Sequence, residues 1–158
     1  MKIAVDLGIS GALATSFGSE VCVEDIPIKT NEKGKKQIDV DALISWFKEV
    51  TAGETAPIIL MESVHAQPTG SIANFSMGYS LGTVQAIAKT LGGEVILIDP
   101  RKWKKALGLT SDKKKSLEMA RKLFPQLADQ LKLVKHHNKA EALLILYYYM
   151  KQLGDHGV

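Results

Sequence analysis

The sequence predicts one mixed α/β domain, with three antiparallel N-terminal strands, further parallel strands, and helices on both faces of the sheet. Three observations carry that expectation. The first 25 residues alternate short apolar runs with glycine turns, which is the pattern of a meander. Two later apolar runs, Ile58–Met61 and Val95–Ile98, are separated by a long helical stretch, the spacing expected of parallel strands joined by a crossover. A chain of 158 residues supports one sizeable core and is too short for two.

Taken in order, Ile3-Ala4-Val5 reads as a buried strand, and Gly8 and Gly11 flank a tight turn into a second strand, Ala12–Phe17. Gly18-Ser19 turns the chain into a third strand around Val21-Cys22-Val23. Lys29–Gln37 has almost no apolar residue and is expected to be a mobile loop. Asp39 or Asp41 then caps a helix whose apolar positions are Leu43, Ile44, Phe47 and Val50. Pro57 opens the central strand Ile58–Met61, whose unbroken apolar run implies burial on both faces. A loop over 64–70 leads to a helix spanning about 71–91. Its Gly78 and Gly82 stand one turn apart on one face, either packed against the body or lining a dimer seam. Val95–Ile98 stops at Asp99-Pro100, and helices follow over 101–107 and 111–123. The last helix is expected to run from Asn138 to about Leu153.

Composition removes several classes. Cys22 is alone, so there is no internal disulfide and no cysteine-rich zinc site. The apolar run at the start is too short for a signal peptide, and no run approaches the roughly 20 residues that span a bilayer. A cytoplasmic protein without a membrane partner is expected. The net charge of +3 hides an asymmetry, because residues 101–139 carry a balance of +9 and the remainder −6. A basic block beside an acidic remainder suits a polyanion partner, although a solvated helical surface has the same composition.

Three acids stand where acids are least expected. Asp6 ends the first apolar strand, Glu62 ends the central one, and Glu141 opens the most apolar part of the final helix. A charge at the end of a buried strand is costly unless it is paired or binds a metal. Carboxylates brought together by strand pairing can hold a hard divalent cation. Each acid also has an ordinary explanation. Asp6 can start a turn, Glu62 can pair with a lysine, and Glu141 fits a capping box with Asn138 as N-cap. His136 and His137 precede the same helix. Neutral imidazole ligates Mn²⁺ more readily than Mg²⁺, while a basic loop over 135–139 would contact phosphate instead.

These residues carry a resemblance over nearly the full length and in order. Asp6-Leu7-Gly8-Ile9-Ser10-Gly11-Ala12, Met61-Glu62-Ser63-Val64-His65, and Phe75 to Gly82 resemble successive motifs of the RuvC family of Holliday junction resolvases, especially its compact phage-type members. The stretches Pro100 to Gly108, Asp112-Lys113, and Ala140 to Ile145 are similar to its later motifs. The resemblance implies an RNase H-like sheet and a homodimer acting on branched DNA. It implies phosphodiester hydrolysis with two divalent ions, Mg²⁺ or Mn²⁺, held by Asp6, Glu62, His137 and Glu141. Lys113 would stand closest to the scissile phosphate, among lysines from 104 to 114 that hold the strand. At His136 and His137 the phage-type pattern has acids. His137, one turn before Glu141, is favoured as the ligand, with His136 and Asn138 as alternatives. Two other readings remain. A non-catalytic relative would need a decayed site, and Asp6, Glu62 and Glu141 are intact. The Asp6-Leu7-Gly8 turn also resembles the phosphate hairpin of actin-like phosphotransferases, which require two lobes.

Overall fold

The computed structural model describes residues 1–65, 68 and 70–155. Five strands form the main sheet: β1 (Lys2–Asp6), β2 (Ala12–Phe17), β3 (Glu20–Asp25), β6 (Ile58–Glu62) and β7 (Glu94–Ile98). Their order is β3-β2-β1-β6-β7, with β2 antiparallel to both β1 and β3, and β1, β6 and β7 parallel. This is the mixed sheet the sequence predicts. β6 is reached through α1 (Val40–Val50) and β7 through α2 (Ser71–Thr90). Right-handed crossovers stepping in one direction put both helices on the same face. The other face takes α3 (Pro100–Ala106), α4 (Lys113–Leu123) and α5 (His137–Asp155).

Strand parity decides what each face buries. Ile3 and Val5 of β1, with Ile59 and Met61 of β6, pack toward α1 and α2 beside Leu43, Phe47, Val84 and Ile87. Ala4 and Leu60 face the opposite way, into a core built with Trp103, Leu117 and the apolar run Ala142 to Leu146 of α5. The same parity turns Asp6 and Glu62 toward α5. β1 and β6 pair in register from Lys2 opposite Ile58 to Val5 opposite Met61, so the next step sets Asp6 beside Glu62.

Some boundaries differ from the sequence expectation. Lys29–Gln37 is not a loop throughout. Ile28–Thr30 (β4) and Lys36–Ile38 (β5) pair as an antiparallel hairpin. The turn is closed by Asn31, whose Oδ1 accepts from the backbone N–H groups of Lys33 and Lys35. Asp39, rather than Asp41, caps α1 by accepting from Ala42 N. α4 starts at Lys113, because Asp112 accepts from Lys114 N as its cap. α5 starts at His137, and the capping box does not form. Asn138 instead sends its side-chain N–H across the molecule to the Ser10 carbonyl. The expected loop over 64–70 falls partly outside the described residues.

Candidate active site

Asp6 and Glu62 sit at the C-terminal ends of two adjacent parallel strands. β1 leads back toward β2 on one side while β6 leads on to β7 on the other. Clefts form at such a switch point because the connections diverge. Here the cleft measures about 370 Å³ and is lined by Asp6, Leu7, Glu62, Ser63, Val64, His65, Asn74 and Pro100 among others. The turn after Asp6 is tightly built. Gly8 has φ 121°, and Gly11 N donates to Gly8 O. A Cβ on Gly11 would lie 2.1 Å from the Asp6 carbonyl oxygen and 2.7 Å from Ile26 Cδ1. Only glycine lets the chain turn back that close to Asp6.

The Asp6 side chain is 9% exposed. Among the described residues its carboxylate has no hydrogen bond and no ion pair. Burial pushes its pKa well above the usual carboxylate range, and the charges of Glu141 and Glu62 push it further; Lys104 and Lys113 pull it back. Burial also raises the Glu62 pKa, offset in part by the indole N–H of Trp103 and by Lys104. Trp103 is fully buried and donates from Nε1 to Glu62 Oε1 at 2.7 Å, which fixes that carboxylate. Glu141, on α5, pairs with Lys104 Nζ at 3.4 Å. Lys104 also lies over the Trp103 ring, 5.1 Å from its centroid.

Asp6, Glu62, Glu141 and Lys113 therefore converge within electrostatic reach of one another. They do not form a closed cage. Among the described residues no three acids, histidines or cysteines are grouped tightly enough to hold a metal as they stand. The reason is visible: Glu62 is turned to Trp103, and Glu141 to Lys104. The donor set nevertheless fits a hard divalent cation. Two strand-end carboxylates and a helical one share a buried negative field, and the Lys104 ammonium occupies the place where charge balance calls for a cation.

His137 is not in that cleft. It lines the neighbouring cavity with Ser10, Gly11, His136 and Asn138, on the far side of the β1–β2 turn. Its hydrogen bond is informative, because the Val134 carbonyl, 3.0 Å from Nδ1, can only accept. Nδ1 therefore carries the proton, and Nε2 keeps its lone pair in the neutral ring. His136 is set the other way. Leu133 N donates to its Nδ1 at 3.2 Å, so its proton lies on Nε2 and the ring presents a donor. Asn138 is occupied by Ser10. Of the three residues the sequence leaves open, His137 presents the lone pair of Nε2 and Asn138 keeps those of its Oδ1, whereas His136 presents a donor.

Sequence reasoning placed Lys104 only among phosphate-holding lysines and gave Trp103 no role. One signal was available for Trp103. It is the large apolar residue of the basic run 101–105, spaced one turn from Leu107, so it marks the buried edge of α3.

No family model matches the chain. A curated relative, the chloroplastic Holliday junction resolvase of Chlamydomonas reinhardtii, is 30% identical over an alignment of 147 residues. That match takes in 79% of this chain but only 17% of the relative's length. Among solved structures, Thermus thermophilus RuvC in complex with a Holliday junction substrate superposes with a TM-score of 0.52 at 16% identity, covering 96% of this chain and 95% of that one. A second structure of Thermus thermophilus RuvC gives 0.51 at the same identity and coverage. The chain has the RuvC fold. Within that fold the three acids stand at the ends of β1 and β6 and on the helix that covers them. The basic groove of Pro100, Arg101, Lys104, Lys105 and Thr110 opens beside them. Among the described residues no helix is long and apolar enough to cross a membrane.

Proposed function

We propose that the chain is a metal-dependent, structure-selective endonuclease that hydrolyses phosphodiester bonds in branched DNA such as the Holliday junction. The observation that carries this is the buried Asp6 carboxylate, unpaired among the described residues and in the field of Glu62 and Glu141, in a RuvC fold and beside a basic groove. The kinship with a Holliday junction resolvase supports the same substrate class.

Asp6, Glu62 and Glu141 would hold Mg²⁺ or Mn²⁺, two ions per site; His137, expected from the sequence as a fourth ligand, lines the neighbouring cavity and is left out of this set. Bound there, such ions lower the pKa of water and stabilise the leaving oxygen. The chain's own residues do the rest. Trp103 orients Glu62, which matters because partners behind a ligand tune its geometry. Lys104, which balances Glu141 here, would be released by a divalent ion on that carboxylate, and its ammonium would then suit a phosphate. Lys113, at the first turn of α4, stands near enough to Asp6 to shift its titration and suits the scissile phosphate.

A homodimer is part of the reading. Ile72, Phe75 and Tyr79 of α2 are 84, 75 and 48% exposed, and they share a face with Gly78 and Gly82. Among the described residues nothing lies within 4 Å of a Cβ built on either glycine, so packing against them does not account for the pair. A second copy of this helix fits the apolar face and the close approach that glycines permit.

The test is cleavage of four-way junction, fork, flap and duplex DNA with Mg²⁺, with Mn²⁺ and with chelator. Cleavage of branched substrates should require metal and be abolished by Asp6→Asn, Glu62→Gln and Glu141→Gln, while junction binding persists. Metal-independent cleavage, or full activity in all three variants, overturns the reading.

A further inference from the structure

Half of the eight basic residues outside 101–139 are crowded into one short element, the β4–β5 hairpin: Lys29, Lys33, Lys35 and Lys36. The hairpin register pairs Thr30 with Lys36 and Ile28 with Ile38. Alternation then puts Lys36 on the same face as Ile38, which is buried in the core, and Lys29 on the opposite face. Lys29 is used there, lying 3.5 Å from Asp39 and 3.8 Å from Asp41. Lys36 instead lines the cavity beside the β1–β2 turn, together with Lys135, His136 and the backbone of Ser10 and Gly11.

The charges in this cavity do not balance. Its acid, Asp25, is already paired with Lys139 Nζ at 3.2 Å. Among the described residues neither Lys36 nor Lys135 has an ion pair. His136 adds a third donor, since its Nδ1 accepts from Leu133 N and its proton is held on Nε2. Two uncompensated ammonium groups and an imidazole N–H, brought from separate elements to one concave surface, repel one another unless an anion joins them.

We propose that Lys36, Lys135 and His136 form a second phosphate subsite, which takes a backbone phosphate of the strand being cut, a short way along from the scissile bond. The inference rests on the nucleic-acid substrate proposed above. The subsite and the catalytic cleft share the β1–β2 turn, Asp6 and Leu7 lining one side and Ile9, Ser10 and Gly11 the other. A strand seated in the cleft passes the cavity within a short length of backbone. A contact of this kind carries register and affinity without base sequence.

The experiment measures junction binding by the cleavage-deficient Asp6→Asn chain over a range of salt concentrations. Each phosphate contact contributes about 0.9 to the slope of log affinity against log salt. In that background, Lys36→Ala with Lys135→Ala should lower the slope by about 0.9 and weaken binding about threefold or more at low salt. Lys48→Ala, an exposed charge on α1, is the control. His136→Gln, which keeps a donor near the Nε2 position, should bind within about twofold of the parent, and His136→Leu should bind more weakly. Equal binding by those two variants removes His136 from the subsite. A slope that changes no more than in the control overturns the proposal while leaving the nuclease reading intact. Failure of the Asp6→Asn chain to bind any branched DNA overturns the nuclease reading, and this one with it.

Discussion

An aspartate at the end of a buried strand, with no partner, is a standing electrostatic cost, and Asp6 shows its sign. Its folded pKa lies above its unfolded value, so the fold disfavours the ionised form. Below the ordinary carboxylate range, near pH 4, both states are protonated and there is no penalty. The penalty grows as pH rises and is complete above the folded pKa. Metal-free Asp6→Asn should therefore melt higher than the parent at neutral pH, by about 2–4 °C for each kcal/mol of repulsion removed. The difference should vanish in acid. Adding Mn²⁺ should raise the melting temperature of the parent and not of the variant. Calorimetry with and without chelator checks both, and a lower melting temperature for metal-free Asp6→Asn at neutral pH would show that the charge is not isolated. Trp103→Phe separates packing from positioning. The ring volume is largely kept while the hydrogen bond to Glu62 is lost, so metal affinity should fall about 10–100-fold. Titration of Mn²⁺ followed by heat or paramagnetic signal measures this without reference to cleavage. Asp6 and Glu62 were legible in the sequence because a charge that ends an apolar run stands out. Trp103 and Lys104 were not, since their roles arise only when α3 folds across the end of β6.

At the scale of elements, local signals succeeded where the pattern was apolar and failed where tertiary contacts decided. β1, β2, β6 and β7 follow from their apolar runs. The β4–β5 hairpin does not, because Ile38 is its one buried side chain and the rest reads as polar loop. The start of α5 shows the opposite failure. Asn138 and Glu141 have the spacing of a capping box, yet both side chains are claimed from a distance, by Ser10 and Lys104. α4 contains one feature that no sequence pattern flags. Ser116 is fully buried, and among the described residues its hydroxyl has no hydrogen-bond partner. An unsatisfied buried hydroxyl costs about 1–3 kcal/mol, and alanine is the better helix former. Ser116→Ala should raise stability by about 1 kcal/mol in denaturant melts and leave junction binding unchanged. A destabilised variant would mean that the hydroxyl has a partner, such as an ordered water.

On the scale of the whole molecule, the sheet order concentrates function at one end. Antiparallel strands on one side of β1 and parallel strands on the other open a cleft at Asp6 and Glu62, and α5 closes over it. The outer face of α2 points away from this arrangement and carries the expectation that the sequence left open between packing and assembly. Replacing Gly78 and Gly82 together by glutamate distinguishes the outcomes. Space above both positions is free within one chain, so the monomer should tolerate the change. It should even gain about 0.5–1 kcal/mol per glycine removed from a helix interior. A dimer seam would instead receive two charges and lose its close approach on both sides of the symmetry axis. Sedimentation at micromolar concentration should therefore show a dimer for the parent and a monomer for the variant, with the variant fully folded by circular dichroism. Cleavage should then become uncoupled, with single nicks in a junction replacing paired cuts on opposed strands. A parent that sediments only as monomer, with or without junction DNA, or a variant that remains dimeric, would leave the apolar face of α2 to another role.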